Sequence, residues 1–179
     1  MKQNFKTISN SFVVRSAPQM NTDDLYQLVL KNNLNGHIDF IFIDNIHQMS
    51  LSLDDRKYAA NREQEISKIM RDLKSMAMKL KIPSLAISDI NRDIEYRERH
   101  IPMIQDLKDS GTLENVADFV FFIHRPEMYG ITEDENGDSL CGLVDIIIAK
   151  NRYGKTTKDS YYGIRKRAFA FEFDNLSEE

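Results

Sequence analysis

An acidic residue at the end of an apolar run is the first candidate for chemistry in this chain. Asp44 directly follows Phe40-Ile41-Phe42-Ile43, a pattern that predicts a buried strand with a carboxylate at its tip. Such a carboxylate can orient Mg²⁺, usually through water, and the metal then neutralises phosphate charge. A turn cap without any ligand is the alternative interpretation. Asp44 is therefore a candidate metal-orienting residue of a nucleotide site, in what is called a Walker B pattern.

The phosphate-binding loop that normally precedes a Walker B strand is not found upstream of Asp44. Residues 1–43 contain one glycine, Gly36, and no G-x-x-x-x-G-K-[ST] motif. Residues 149–156 fit a relaxed version of that motif, but Lys, Arg and Tyr crowd a loop whose backbone N–H groups must wrap a phosphate. The residues that follow favour a strand rather than the required helix. We therefore predict that 149–156 is not a phosphate loop and that the Walker A part of the site is missing.

A second group of polar side chains follows the next predicted strand. Ser88-Asp89-Ile90-Asn91-Arg92 comes directly after an apolar run. Because the carboxyl ends of parallel strands meet at one edge of a sheet, we expect Asp89 and Asn91 to lie beside Asp44, where they could contact a γ-phosphate or the attacking water. A solvated turn is the alternative for this segment taken alone.

Two cations near the end of a later strand could act on a phosphate bound elsewhere. Lys150 and Arg152 are two residues apart, so on a strand they project to the same side. An arginine supplied across a subunit boundary stabilises charge on a transferring phosphoryl group. A solvated strand end is the alternative interpretation.

A charged loop offers a candidate contact with nucleic acid. Lys108, Asp109 and Gly111 combine a cation with a glycine that allows close approach of the backbone to a phosphate. A plain surface turn would have the same composition. The four histidines have neither the spacing nor the neighbouring cysteine that would indicate a metal site.

The elements that must position these residues follow from the apolar periodicity. Spacings of three and four from Ile66 to Leu80, after Asn61 and Gln64 in capping-box positions, predict a long helix. Strands alternating with helices predict an α/β fold with a mainly parallel sheet, flanking helices and C-terminal antiparallel strands. The other expected elements are strands at 12–15, 40–44, 84–88 (buried on both faces), 119–123 and 143–149, a helix from Thr22 to about Lys31, a long functional loop with a short helical turn at 89–115, and terminal strands within 161–173.

Composition limits the class of protein. At 179 residues with a net charge of −4, we expect one domain over residues 1–179 that does not bind nucleic acid through overall charge. The single cysteine, Cys141, excludes a disulfide within the chain and suits a reducing cytoplasm. No apolar stretch approaches a membrane span of about 18 residues.

Taken in order, four sequence blocks resemble the C-terminal half of the RecA-like motor domain of DnaB-type replicative DNA helicases. They are IFIDNIHQM, NREQEISKIMRDLKSMAMKLKIPSLAISDINR, IQDLKDSGTLENVADFVFFIHR and DIIIAKNRYG. The resemblance implies a truncated RecA-like P-loop NTPase fold, use of ATP and Mg²⁺, and single-stranded DNA as partner. It also implies a homo-hexamer that unwinds DNA during replication, with primase or a helicase loader as further partners.

The resemblance assigns roles by position. Asp44 resembles the metal-orienting aspartate. Lys150 and Arg152 resemble the pair that reaches the neighbouring subunit's ATP, with Arg152 as the finger. The loop of Lys108, Asp109 and Gly111 resembles the loop that contacts single-stranded DNA. Asp89 stands where family members usually carry a glutamine that senses the γ-phosphate. In addition, Asn45 and His47 replace a usual tyrosine and glutamine.

The family's Walker A loop, catalytic glutamate and collar domain correspond to sequence upstream of residue 1. We therefore expect the isolated chain not to hydrolyse ATP by itself. The alternative is a catalytically inactive RecA-like module that binds a partner helicase or DNA.

Overall fold

The α/β class expected from the sequence is confirmed by the computed structural model, which describes residues 13–57, 59–108, 110–156, 162–167 and 170–173. Helices lie at Thr22–Asn35 (α1), Leu53–Arg56 (α2), Arg62–Leu80 (α3) and Ser110–Val116 (α4). Strands lie at Ile41–Ile43 (β1), Ser84–Ala86 (β2), Phe119–His124 (β3), Leu143–Asn151 (β4), Tyr162–Arg167 (β5) and Ala170–Phe173 (β6).

Helix α3 is the longest of the described helices, and its ends agree with the sequence prediction. The Asn61 side chain accepts a hydrogen bond from the Gln64 N–H at 2.9 Å, and the Gln64 side chain accepts one from the Ala60 N–H at 2.8 Å. The helix ends where Lys81 adopts a left-handed conformation with φ of 56°. Its apolar stripe enters the core, with Ile66 and Ile69 fully buried.

The Asn61 cap offers a stability test on the isolated chain. Asn61→Ala removes the acceptor for an N–H group that the helix itself does not satisfy, and we expect a loss of about 1 kcal/mol in the free energy of unfolding. Urea denaturation followed by circular dichroism measures the change. Asn61→Asp keeps an acceptor at the same position and should stay close to wild type; an equal loss in both variants would contradict a capping role.

The N-terminal part of the chain differs from the prediction in two respects. Helix α1 is capped by Asn21, whose side chain accepts from the Asp24 N–H at 2.8 Å, and it extends one turn beyond Lys31 to Asn35. The strand expected at 12–15 is wrong for its described residues, since Val13 and Val14 are exposed and belong to no strand. Phe12 lies outside the described residues.

The strands pair in two groups. β1 and β2 are parallel, with Ile41 opposite Ser84 and Ile43 opposite Ala86. β3, β4, β5 and β6 form an antiparallel sheet in that order. The parallel part among the described strands is therefore the β1–β2 pair, and the antiparallel C-terminal strands contribute three further pairings.

Burial of the second strand on both faces was a wrong expectation. Leu85 and Ile87 are 40% and 38% exposed, and Phe42 of β1 is also exposed while its neighbour Ile41 is buried. Ile41 belongs to the same apolar cluster as Ile66 and Ile69 of α3. One face of the parallel pair thus packs into the core, whereas the other is not covered by the part of the chain that the structure describes.

Candidate functional site

The segments that leave β1 and β2 lie side by side. Backbone hydrogen bonds join the Ile87 N–H to the Ile43 carbonyl at 2.9 Å and the Ile46 N–H to the Ile87 carbonyl at 3.0 Å. Beyond them, the Asn45 side-chain amide donates to the Asp89 carboxylate at 3.1 Å. The two strand ends therefore place Asp44 and Asp89, both exposed, on neighbouring segments.

The segment after Asp44 is held by two side chains whose contacts the sequence does not indicate. His47 Nε2 lies 3.1 Å from the Ser88 hydroxyl. The Arg62 guanidinium donates to the carbonyls of His47 at 2.7 Å and Met49 at 2.9 Å. Because Arg62 is the first residue of α3, the long helix fixes the position of the loop that carries Asp44.

The predicted DNA loop is attached directly to the segment that carries Asp89. The Lys108 N–H donates to the Asp89 carbonyl at 3.2 Å, and the Asn91 N–H donates to the Asp106 carbonyl at 2.7 Å. Ile90 and Leu107 form an antiparallel bridge between these bonds. Asp44, Asp89, Asn91 and Lys108 are therefore linked by short runs of backbone. Gly111 lies in the first turn of α4, and Asp109 lies outside the described residues.

A buried ion pair fastens the loop between these segments. The Asp106 side chain is 3% exposed and accepts from the Arg97 guanidinium, at 2.6 Å to Nη1, and from the Met103 N–H at 2.7 Å. Burial alone would raise the pKa of the Asp106 carboxyl, but these hydrogen bonds outweigh burial and hold the pKa below its usual value. The sequence offers no signal for this pair, because its members are nine positions apart, a spacing that matches no regular period.

Lys150 and Arg152 form a second group at the C-terminal end of α4. The Lys150 ammonium donates to the Glu114 carbonyl at 2.5 Å. The Arg152 guanidinium donates to the Asn115 carbonyl at 2.9 Å, and its Nη1 lies 2.8 Å from the Asp118 carboxylate. Both cations thus reach the same helix end, and the Arg152 side chain remains 41% exposed.

The motif-like stretch 149–156 has a different geometry from a phosphate loop. β4 continues to Asn151, whose side chain accepts from the Tyr153 N–H at 3.0 Å and donates to the Lys155 carbonyl at 3.1 Å. A Cβ at Gly154 would come within 2.9 Å of the Asn151 amide. The side chain of Asn151 therefore closes this turn by hydrogen bonds to the backbone and lies close against Gly154.

A magnesium ion fits the residues at the end of β1 only with additional ligands. Within the described ranges, no three His, Cys, Asp or Glu side chains converge on one point. Mg²⁺ in nucleotide sites commonly takes one or two protein carboxylates and completes its shell with water and phosphate oxygens. The exposed Asp44 and Asp89 carboxylates suit that arrangement.

Comparison with known proteins identifies the family. The profile of the family described as DnaB-like helicase C terminal domain matches residues 1–170. The chain belongs to this family. One solved structure that resembles this chain is described as a DnaB-like replicative helicase and its interactions with primase. It superposes on this chain with a TM-score of 0.68 at 27% identity, covering 82% of this chain and 32% of the other. A second solved structure, described as an ATPase domain, has the same TM-score and identity, with 48% of that chain covered.

Curated replicative DNA helicases are also similar to this chain. The replicative DNA helicase DnaB of Haemophilus influenzae is 31% identical over 175 residues, covering 98% of this chain and 35% of the relative. A probable plasmid replicative DNA helicase of Chlamydia psittaci is 38% identical over 120 residues, covering 67% of this chain and 24% of the relative. The chain thus spans about a quarter to a third of these relatives. The RecA-like fold and the DnaB-type family expected from the sequence are both confirmed.

None of the described helices of this DnaB-like domain combines the length and apolar composition needed to cross a membrane.

Proposed function

We propose that this chain is part of the motor of a hexameric, ATP-driven replicative DNA helicase that works on single-stranded DNA in the cytoplasm. The observation that carries the proposal is the backbone junction between residues 89–91 and 106–108. It connects the segment beside Asp44 with the loop of Lys108. A nucleotide site and a DNA site joined in this way can respond to each other, as a translocating motor requires.

Each group of residues has a distinct role in this proposal. Asp44 orients Mg²⁺, and the ion when bound neutralises the charge of the ATP phosphates. The Asn45 amide donates to the Asp89 carboxylate and so fixes the position of this carboxylate on the side of the site that faces the γ-phosphate. Asn91 keeps the segment after Asp89 in place through its backbone bond to Asp106.

The DNA and subunit contacts complete the proposal. Lys108 and Gly111, with Asp109, contact phosphates of the single strand, and Lys150 and Arg152 extend toward ATP held by the neighbouring subunit. The Lys108 N–H is hydrogen-bonded to the Asp89 carbonyl, so a movement of the Asp89 segment at the nucleotide site also moves the loop that contacts DNA. Primase or a helicase loader is the expected further partner of the assembled ring.

Loss of the Lys108 ammonium tests the DNA role. We expect Lys108→Ala to weaken binding to a fluorescent oligo(dT), and the slope of log K against log salt concentration to become shallower by about 0.7 per phosphate contact removed. Fluorescence anisotropy at several salt concentrations measures both. Lys79→Ala removes an exposed lysine from the last turn of α3 and serves as the matched control. Equal slopes for wild type and Lys108→Ala would exclude Lys108 from the DNA contact.

A second candidate function is a catalytically inactive module that binds a partner helicase or DNA. The contact between Asn45 and Asp89 favours it, since a carboxylate already held by an amide replaces the glutamine expected to sense a γ-phosphate. ATPase assays on the complete product of the gene separate the two candidates. Turnover that depends on Asp44 supports the motor, whereas DNA binding without any turnover supports the module.

A further inference from the structure

Asp118 holds Arg152 at two points. It lies between the end of α4 and the start of β3, and the pairing of Phe119 with Asn151 places it opposite Arg152 across the sheet. The Arg152 N–H donates to the Asp118 carbonyl at 2.9 Å, and Arg152 Nη1 lies 2.8 Å from the Asp118 carboxylate. One residue therefore fixes both the backbone and the charged end of the candidate finger.

The end of α4 supplies a second anchor for the same guanidinium. The last carbonyls of a helix have no partner within the helix and accept hydrogen bonds from nearby cations. The Asn115 carbonyl accepts from Arg152 Nη2 at 2.9 Å, while the neighbouring Glu114 carbonyl accepts from Lys150. Arg152 Nη2 is thus hydrogen-bonded to the Asn115 carbonyl and Nη1 is ion-paired with the Asp118 carboxylate, and a planar group held at two points has a defined direction.

Lys74 of α3 keeps the Asp118 carboxylate charged. Its ammonium donates to Asp118 Oδ2, and this hydrogen bond, against the opposing effect of burial, holds the pKa of the Asp118 carboxyl below its usual value, with help from the charges of Arg152 and Lys150. The Asp118 side chain is 26% exposed, less than the 41% of Arg152. The carboxylate is thus the inner partner, and the Arg152 side chain is the more exposed of the two.

We propose that Asp118 is a positioning residue that aims Arg152 across the subunit boundary, an inference that rests on the proposed function of Arg152 as a finger. A guanidinium on a flexible stem reaches many positions, and misplacement of a reacting group by about 1 Å can cost about 10²-fold in rate. Asp118 and the Asn115 carbonyl remove that freedom before ATP arrives. Asp118 itself touches neither the nucleotide nor the reacting atoms.

The test compares Asp118→Asn with Arg152→Ala in the complete gene product, with ATP turnover measured in the presence of single-stranded DNA. We expect Asp118→Asn to lower kcat by about 10-fold to 10²-fold and to leave KM for ATP close to wild type, because the aim of Arg152 matters in the transition state. Asp118→Glu, which retains the charge, should recover part of the loss. Asp72→Asn is the matched control, since Asp72 is 28% exposed and also paired with a lysine, and it should keep the wild-type kcat.

The outcomes separate the two proposals. Wild-type turnover in Arg152→Ala would overturn the finger itself. A large loss in Arg152→Ala combined with wild-type kcat in Asp118→Asn would overturn only the positioning role, and so would a loss confined to KM.

A measurement on the wild-type 179-residue chain does not depend on how the variants fold. Nitrogen-15 NMR of the arginine side chains, with the Arg152 signals assigned through Arg152→Lys, reports rotation of the guanidinium. Separate, slowly exchanging Nη signals are expected for a group held by Asp118 and Asn115. Free rotation at neutral pH would overturn the proposal.

Discussion

Arg152→Ala is expected to lower kcat for ATP hydrolysis by the complete gene product by about 10³-fold or more, the range seen when an arginine that stabilises a transferring phosphoryl group is removed. The guanidinium is held at the end of α4 and the Arg152 side chain is 41% exposed, so N–H groups that these contacts do not use can donate to a phosphate across the subunit boundary. Steady-state turnover at saturating ATP and single-stranded DNA measures the loss.

Lys155→Ala is the control for Arg152→Ala. Lys155 is exposed and lies in the same basic turn, and its carbonyl, not its ammonium, takes part in the contact with Asn151. Its removal should leave turnover near wild type. A loss of ATP affinity in Lys155→Ala would instead assign phosphate binding to residues 149–156.

Mixed rings distinguish a finger that acts on a neighbour from one that acts within its own subunit. Arg152→Ala and Asp44→Ala subunits should each be inactive alone. Mixed together, they create boundaries at which an intact Asp44 faces an intact Arg152, and part of the turnover should return. No recovery in rings shown to be mixed would place Asp44 and Arg152 in the same site of one subunit.

Asp106→Ala is expected to destabilise the chain by about 3 kcal/mol, the upper range for hydrogen bonds to a charged group. The change removes the acceptor of the Met103 N–H and the partner of Arg97, and these two contacts close the loop that ends at Lys108. Urea unfolding at neutral pH gives the free energy, and hydrogen exchange at Met103 and Lys108 reports the loop itself.

Asp93→Ala provides the matched control for Asp106→Ala. Asp93 is an exposed acid in the same loop whose charge acts on Arg97 without a hydrogen bond. Its removal therefore changes the net charge equally but takes no hydrogen bond from the loop, and the free energy of unfolding should shift by less than about 0.5 kcal/mol. Equal destabilisation by both variants would show that net charge, rather than the buried pair, governs the loop.

The same pair predicts how stability depends on pH. The pKa of Asp106 is lower in the folded chain than in the unfolded chain, so its contribution is complete above the unfolded pKa of about 4 and is lost as the pH falls through the folded pKa. Thermal unfolding between neutral and acidic pH should therefore show a shallower acid loss in Asp106→Asn than in wild type. Parallel curves would contradict the assignment.

The sequence alone determined the parts of this protein that depend on local pattern. Residues at spacings of three and four, with Asn61 before them, set the extent of α3, and the run before Asp44 placed a carboxylate at a strand end. The rule that parallel strands present their carboxyl ends together predicted that Asp89 and Asp44 lie near each other, and the two residues are on neighbouring segments. The order of four motif blocks identified the DnaB-type family, which the comparisons confirmed.

Which distant residues pair, and which apolar faces are covered, depends on the three-dimensional arrangement of the chain. The contacts of Asp118 with Arg152, of Arg97 with Asp106, and of the buried His124 with Asp145 at 3.2 Å join residues that share no period along the chain. Likewise, an apolar run predicts that one face of a strand is buried, but it does not show whether a second layer covers the opposite face. Leu85 and Ile87 are exposed because no described part of the chain covers them. Hydrophobic patterning shows which face of a helix or strand is apolar. Which residue pairs with a charged side chain, and which element packs over an apolar face, depend on where the rest of the chain lies in space.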